Sequence, residues 1–316
     1  MLKLSVLDQS IAAEGVSEAQ SIRDTIALAK RCEDLGYARF WVSEHHNHPT
    51  IVGTAPEIMM AAIGQSTSRI RIGSAGVMLP HYAPFKVAEQ FRVLDAIAPG
   101  RIDLGLGRAP GSDQKTAYAM NPNAGQAAEH FPENVRDLMA WVTDEPLIDR
   151  HPHTGLVAHP KGETSPDVWM LGTSDYGAQV AAYFGLPYCF AHFITDGQGV
   201  ERAFSVYREN YKPSPRFPEP IANVCVWALA AETQEDATRL FSPRAHWKAR
   251  RDYGELRNIQ SSDAIKDFDY SPPEQRRMDN LYETAIYGTA PDVYARLQSL
   301  ATKLDIDEVV ILTWTH

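Results

Sequence analysis

The chain of 316 residues carries 40 acidic and 30 basic side chains, a formal net charge of -10, and 44% hydrophobic residues. This composition predicts a globular protein with a full core, and an acidic chain without a Lys- or Arg-rich run is a poor partner for nucleic acid or an anionic membrane. The three cysteines form no CxxC pair, and no apolar run of about 18 residues could span a membrane, so we expect a reduced, cytoplasmic protein.

Strand-like and helix-like segments alternate along the whole chain. The predicted strands cover residues 2–7, 40–43, 70–75, 102–106, 168–171, 188–191, 223–230 and 308–312, and the predicted helices cover residues 17–35, 56–65, 84–98, 129–143, 174–184, 197–211 and 233–248, with a last helix from Thr289. Eight strands that each pair with a helix predict an α/β fold, a (β/α)8 TIM barrel formed by residues 1–316 as a single domain. A doubly wound α/β sheet is the alternative, but a Gly-x-Gly-x-x-Gly motif is missing after the first strand.

Three segments fall outside this alternation and are predicted insertions. Residues 109–128, after strand four, form a polar loop with Gly and Pro, and residues 144–166, before strand five, form a small excursion rich in Pro, His and Gly. Residues 250–279, after strand seven, are charged and poor in apolar side chains. A structureless segment of that size is typical of an active-site lid or of disorder, and its position would place it over the C-terminal mouth of the barrel.

Two predicted helices are more apolar than an outer barrel helix requires. The helix at 56–65 is apolar almost all round, and the helix at 84–98 is similarly rich. An outer helix buries one face against the strands, so a second apolar face favours a homodimer through helices 56–65 and 84–98. The other interpretation is an inner face accompanied by scattered surface hydrophobics.

Ionisable side chains follow the second predicted strand directly, in the sequence Glu44-His45-His46. Barrel enzymes place their catalytic groups at the C-terminal tips of strands, so Glu44 and His45 are candidate catalytic residues. Side chains alternate along a strand, so only one of the two would face the mouth. The alternatives are exposed loop histidines and a metal site with His48, and we predict no metal because adjacent histidines on a strand diverge.

Small residues and a cation mark the ends of the next strands. The run Gly73-Ser74-Ala75-Gly76 and the run Gly105-Leu106-Gly107-Arg108 would let a flat ligand approach the backbone, although such glycines are also ordinary at barrel corners. Strand five ends at Gly172-Thr173-Ser174, where a helix begins, so backbone N–H groups and hydroxyls could bind an anion there. Arg108 could supply a fixed positive charge to the same phosphate, whereas the commoner role of Ser174 would be a simple N-cap.

These motifs together resemble the bacterial luciferase-like monooxygenase family over nearly the whole chain. The resemblance rests on Trp41-x-x-Glu44-His45-His46, on residues 72–80 and 105–108, on Gly-Thr-Ser at 172–174, on Ala181-x-x-x-Gly185-Leu186-Pro187 and on Gly288-Thr289. The chain looks most like a flavin-using, non-luminescent branch. Gly107 stands where luciferase carries a reactive cysteine, so thiol chemistry beside the flavin is not expected.

The resemblance implies a barrel that binds FMN, used in its reduced form and supplied by a separate flavin reductase. It implies reaction with O2 through a C4a-hydroperoxyflavin to oxidise a small, apolar organic substrate. His45 matches the catalytic histidine, Arg108 and Ser174 match the groups that hold the flavin phosphate, and Gly172, Thr173 and Gly177 lie alongside them in the motif. Ala75-Gly76 matches a non-proline cis peptide bond under the flavin ring, Glu89 lies on the helix that matches the dimer interface, and residues 250–279 match the family's mobile lid.

Two other functions stay open at this point. One is a deazaflavin (F420)-dependent reductase or dehydrogenase on the same barrel, and the other is a flavin-binding protein without turnover. The strand ends place Met78, Phe193, Trp227 and Trp314 at the expected mouth, which favours an apolar or aromatic substrate.

Overall fold

Parallel strands close into a barrel in this computed structural model, which describes residues 2–316. The strands are β1 (Lys3–Asp8), β2 (Arg39–Val42), β3 (Arg71–Met78), β4 (Ile102–Gly107), β5 (Asp167–Gly172), β6 (Tyr188–Phe190), β7 (Ala222–Ala231), β8 (Ile286–Thr289) and β9 (Glu308–Leu312). Strands β1 to β7 pair in chain order, and β9 pairs in parallel with both β7 and β1, which closes a ring of eight within the described residues. This architecture confirms the predicted (β/α)8 barrel.

Helices surround this ring; among the described residues, eight of them follow the predicted helices with shifts of a few residues at their ends, and five others were not predicted. They are α1 (Glu18–Asp34), α2 (Pro56–Ser66), α3 (Pro84–Ile97), α4 (Gln114–Met120), α5 (Ala124–Glu129), α6 (Phe131–Thr143), α7 (Asp175–Phe184), α8 (His192–Thr195), α9 (Val200–Glu209), α10 (Gln234–Asp252), α11 (Ser262–Ile265), α12 (Pro272–Thr284) and α13 (Ala290–Leu304). The first helix shows how the sequence sets such ends: Ser17 accepts a hydrogen bond from the Gln20 backbone N–H, and Gly36 follows the helix with a φ of 81°. None of the helices described combines the length and the hydropathy needed to cross a bilayer.

The predicted insertions are present, but two of them are more ordered than expected. Residues 109–128 contain α4 and α5, and residues 250–279 contain the end of α10, all of α11 and much of α12. A capping box fixes the start of α12. The Ser271 side chain accepts a hydrogen bond from the Glu274 backbone N–H, the Glu274 side chain accepts one from the Ser271 backbone N–H, and Pro272 occupies the first helical position. The prediction of a structureless segment at 250–279 is therefore wrong, whereas residues 144–166 do form an irregular excursion.

One strand was missed in the sequence. β8 lies beside the C-terminal end of β7, where Ala228 pairs with Ile286 and Ala231 with Thr289. It stands outside the closed ring and extends β7 at the mouth of the barrel.

A buried layer of charged side chains fills the N-terminal end of the barrel interior. The Asp103 carboxylate is fully buried and accepts hydrogen bonds from Arg39 at 2.9 Å, from Arg71 at 2.6 Å and from the indole N–H of Trp41 at 2.9 Å. Glu308 accepts from Arg39 on the opposite side, also at 2.9 Å. Because each carboxylate is paired with a guanidinium, this layer closes the bottom of the barrel without leaving an unpaired charge, and the space above it faces the C-terminal mouth.

Candidate active site

A cavity of about 330 Å³ lies at the C-terminal ends of the strands. Its volume falls within the range of about 300–1,000 Å³ that small-molecule and cofactor sites occupy. Apolar and small residues make up most of its wall, and a few polar groups interrupt them. It is lined by Leu7, Gln9, Trp41, His45, Ala75, Gly76, Met78, Gly107, Arg108, Ala109, Gly111, Phe131, Met170, Leu171, Gly172, Thr173, Ser174, Tyr176, Gly177, Cys189, Ala191, Phe193, Ile194 and Cys225.

His45 lines this cavity with a ring nitrogen that no protein group satisfies. Its backbone N–H donates to the carbonyl of Gly53 at 3.2 Å, while its side-chain Nδ1 is buried and has no hydrogen-bond partner within residues 2–316. Burial lowers the pKa of His45 to about 4, and the nearby His48, His46 and Arg251 push it in the same direction. The imidazole is therefore neutral at neutral pH and keeps a nitrogen free for a ligand.

Glu44 points away from the cavity, as strand alternation requires. Its carboxylate is only 1% exposed and accepts hydrogen bonds from the His46 ring at 2.8 Å, from the Tyr82 hydroxyl at 2.7 Å and from the backbone N–H of Met78 at 3.0 Å. The structure thus separates the two predicted catalytic residues. His45 faces the ligand space, and Glu44 ties the end of β2 to the end of β3.

The predicted phosphate-binding groups meet at one end of the cavity. Arg108 reaches across to the first turn of α7, where its guanidinium carbon lies 3.9 Å from the ring centroid of Tyr176. Ser174 is the N-cap of α7 by backbone geometry, but its hydroxyl makes no capping hydrogen bond. Gly172, Thr173, Ser174 and Gly177 all line the same end. A cation, an uncommitted hydroxyl and the N-terminus of a ten-residue helix therefore converge, which is the arrangement that a phosphate requires.

At Gly76, the wall formed by β3 has no room for a side chain. The peptide bond between Ala75 and Gly76 is cis, as the family resemblance implies, and the pairing of β3 with β4 shifts register between Ser74 and Val77. A Cβ atom on Gly76 would lie 2.6 Å from Leu171 Cδ1 and 2.7 Å from the carbonyl oxygen of Gly105. The backbone itself is therefore the surface on this side, and a planar ring can lie against it.

Several lining residues escaped the sequence analysis. Gln9 follows β1 directly, is almost fully buried, and has an Oε1 without a hydrogen-bond partner among the described residues. Its place at a strand tip is the same signal that singled out His45 and could have found it. Cys189 and Cys225 also line the cavity, and burial raises the pKa of both thiols, so they contribute as small apolar groups.

Two of the four side chains that were predicted to lie at the cavity mouth do not line the main cavity. Met78 and Phe193 line the cavity as predicted. Trp227 instead lines a second, smaller cavity, and Trp314 packs edge to face on Trp247 at 4.6 Å. Both indoles pack against aromatic side chains of α10, Trp227 against Phe241 and Trp314 against Trp247, which a strand pattern alone does not indicate.

The residues present fit FMN. The phosphate end supplies positive charge and helix N–H groups, β3 supplies a flat backbone wall, and Gln9 and His45 supply unpartnered buried polar atoms for a polar ring edge. Buried polar atoms in proteins are normally hydrogen-bonded, so two buried polar atoms without a partner in one cavity indicate a ligand that would form hydrogen bonds with them. Among residues 2–316, no three His, Cys, Asp or Glu side chains group as ligands for a metal ion.

Comparison with known proteins agrees with this geometry. The model of the luciferase-like monooxygenase family matches residues 2–306. The chain is 42% identical over 317 residues to the uncharacterized protein YwcH of Bacillus subtilis, covering 100% of this chain and 95% of that protein. It is 35% identical over 317 residues to the N-acetyl-S-alkylcysteine monooxygenase of the same organism, covering 99% and 93%.

Solved structures share the fold over the full length. The crystal structure of apo-MsnO8 superposes with a TM-score of 0.89 at 33% identity and covers 100% of this chain and 94% of that chain. At 19% identity, the oxygenating constituent of 3,6-diketocamphane monooxygenase from Pseudomonas putida, in complex with FMN, superposes with a TM-score of 0.73 and covers 99% and 92%. An F420-dependent secondary alcohol dehydrogenase has the same fold at 15% identity, a TM-score of 0.66 and coverage of 99% and 93%. The chain therefore belongs to the luciferase-like monooxygenase family.

Proposed function

We propose that this protein is a monooxygenase that uses reduced FMN and O2 to oxidise a small organic substrate. The observation that carries the proposal is the pairing, in one cavity, of a phosphate site at Arg108 and Ser174 with a neutral, unpartnered His45. For flavin oxygenation, a protein has to supply a site that holds the flavin by its phosphate and a side chain, such as histidine, that can transfer a proton.

FMN in its reduced form would supply the activation of O2. Arg108, the Ser174 hydroxyl and the N-terminus of α7 would hold its phosphate and so fix the ring against the backbone of Ala75 and Gly76. His45, neutral at physiological pH, would accept a proton at Nδ1 or at Nε2 from the reacting groups beside it. The role of Glu44 would be to position this end of the barrel, because its oxygens are already used by Tyr82, His46 and the backbone of Met78.

The apolar wall would serve two purposes. Leu7, Trp41, Phe131, Met170 and Phe193 surround the ligand space and would exclude water from the bound flavin ring. They would also favour a substrate with an apolar reacting end. Because the relative from Bacillus subtilis is named for N-acetyl-S-alkylcysteine, we propose a thioether as the first group to test as that reacting end.

We also propose a homodimer and a separate flavin reductase as partners. Ile58 on α2 and Val93 on α3 are 67% and 47% exposed, and with Ala61 and Ile97 they line one shallow depression on the outside of the barrel. A second copy placed there would remove these apolar side chains from water. Light scattering would measure the oligomeric state.

The test of the proposed function is a stopped-flow experiment. Pre-reduced FMN and the protein are mixed with oxygenated buffer, and free reduced FMN serves as the control. We expect an absorbance distinct from both oxidised and reduced FMN that persists with the protein and not without it. Direct return to oxidised FMN, at the rate seen in the control, would refute oxygen activation. Binding of F420 with no binding of FMN would instead favour the deazaflavin enzyme.

A further inference from the structure

Arg244 is a buried guanidinium beside the active-site cavity. It lies in the middle of α10, is 6% exposed, and lines a second cavity of about 50 Å³ together with Trp227, Phe241 and Lys248. Phe193 lines this second cavity and the main cavity as well. One half-buried aromatic side chain therefore stands between the two spaces.

Among residues 2–316, no carboxylate forms a direct ion pair with this guanidinium. Its Nε has no hydrogen-bond partner within the described part of the chain, and three indole rings lie around the guanidinium. The guanidinium carbon lies 5.3 Å from the ring centroid of Trp314, 5.6 Å from that of Trp247 and 5.9 Å from that of Trp227. Cation–π contacts of this kind stabilise an arginine by less than the burial of an unpaired ion costs.

The carboxylates in the neighbourhood are committed elsewhere. Asp196, which lines the same second cavity, is paired with Lys248 and with Arg277, and Arg277 also pairs with Asp252 at 2.8 Å. Four cations, Arg244, Lys248, Arg251 and Arg277, thus lie near two carboxylates, and Arg244 forms an ion pair with neither carboxylate. Burial lowers the pKa of Arg244 to about 9, yet the group still carries its charge at neutral pH.

We propose that Arg244 binds a carboxylate of the substrate, whose reacting end lies in the main cavity. This inference rests on the proposed function, since it assigns a substrate class to that same cavity. The second cavity has room for a group of one or two water volumes, so it fits a carboxylate and not a whole substrate. A guanidinium offers a carboxylate two parallel N–H donors, and the surrounding indoles would keep water away from that pair. The substrate is then an organic acid with an apolar reacting end.

Calorimetric titration without turnover tests the inference. The protein, saturated with oxidised FMN in a chloride-poor buffer, is titrated with N-acetyl-S-methylcysteine, with its methyl ester and with acetate. We expect the acid to bind at least about tenfold more tightly than the ester, as a charge-assisted pair predicts. The substitution Arg244→Gln should remove that difference and leave the affinity for the ester unchanged.

Arg251 provides a matched control, because its guanidinium carbon lies 5.7 Å from the same Trp247 ring but the side chain is exposed. Arg251→Gln should keep the preference for the acid. Should Arg244→Gln fail to fold, Arg244→Lys keeps the positive charge but loses the two parallel N–H donors, and it should retain part of the preference for the acid over the ester. Equal binding of acid and ester, no binding of the acid, equal losses in the two glutamine variants, or acetate binding as tightly as the acid would each overturn the inference.

The same titration separates this inference from the proposed function. It measures binding to oxidised FMN protein and does not depend on oxygen activation. An Arg244-dependent preference for the acid would stand even if the stopped-flow experiment refuted a monooxygenase.

Discussion

Removing the positive charge of Arg108 should weaken FMN binding selectively. Arg108→Gln deletes the cation that lies against the first turn of α7 and keeps a side chain of similar length. Hydrogen bonds to charged groups contribute about 1.5–3 kcal/mol, and the exposure of Arg108 favours the lower half of that range. A loss of about 2 kcal/mol corresponds to about 30-fold in the dissociation constant of FMN. Riboflavin lacks the phosphate, so its dissociation constant should change less than about threefold.

The assay is fluorescence titration of FMN and of riboflavin at two ionic strengths. The loss for FMN should be smaller at high salt, because salt screens the interaction of an exposed charge. Lys115→Gln is the matched control, since it removes one exposed positive charge from the same β4–α6 region at a residue outside the cavity lining. Equal losses for FMN and riboflavin, or an effect of Lys115→Gln as large as that of Arg108→Gln, would refute the phosphate assignment.

His45→Asn should abolish substrate oxidation while leaving FMN affinity within about threefold in the same titration. The pKa of His45 is about 4 in the folded protein and about 6.5 for a histidine in the unfolded chain, so between pH 7 and pH 5 the unfolded chain binds a proton that the folded protein does not. In urea unfolding, the free energy of unfolding of the wild type should therefore fall by about 1–2 kcal/mol more over this pH range than that of His45→Asn. Glu44→Gln should lower the free energy of unfolding by about 1–3 kcal/mol, and Tyr82→Phe by less, because the glutamate accepts three hydrogen bonds and the tyrosine donates one of them; equal losses would contradict this. Gly76→Ala should lower the melting temperature more than Gly172→Ala, because the added Cβ meets its nearest atom at 2.6 Å in the first and 3.6 Å in the second, and the reverse order would show that the wall at Gly76 yields.

The parts of the fold that follow local rules were readable in the sequence. The last barrel strand runs over residues 308–312, as predicted, because a short β-branched run follows a helix that ends at the left-handed residue Asp305. β8 was missed because its four residues become a strand only through pairing with the end of β7. α12 was missed because few of its residues are buried, so its apolar stripe is short even though its capping box is clear.

The residues of the candidate site likewise divide into those that the sequence predicted and those that it did not. His45, Arg108 and Ser174 were found because strand tips in a barrel share one end, whatever the details of packing. Gln9 and Arg244 were not, because their significance is the absence of a partner, and that depends on which side chains the fold brings near them. The sequence also misplaced Trp227 and Trp314 at the main cavity, because their packing against α10 is a tertiary contact that a strand pattern does not contain.

The segment that covers the barrel mouth has a consequence for how a substrate enters. Ile259 is fully buried and exchanges backbone hydrogen bonds with Ala12 and Glu14, and the carbonyl of Arg257 accepts from Thr50 at 2.6 Å and from Trp247 at 3.0 Å. Four such bonds at about 1 kcal/mol each, with about 2 kcal/mol for the isoleucine, make detachment of this segment cost about 6 kcal/mol. At that cost the detached form would be populated only about once in 10⁴ molecules. We therefore expect traffic in and out of the cavity to pass the side chain of Ile194 instead, because that side chain lines the cavity and is exposed.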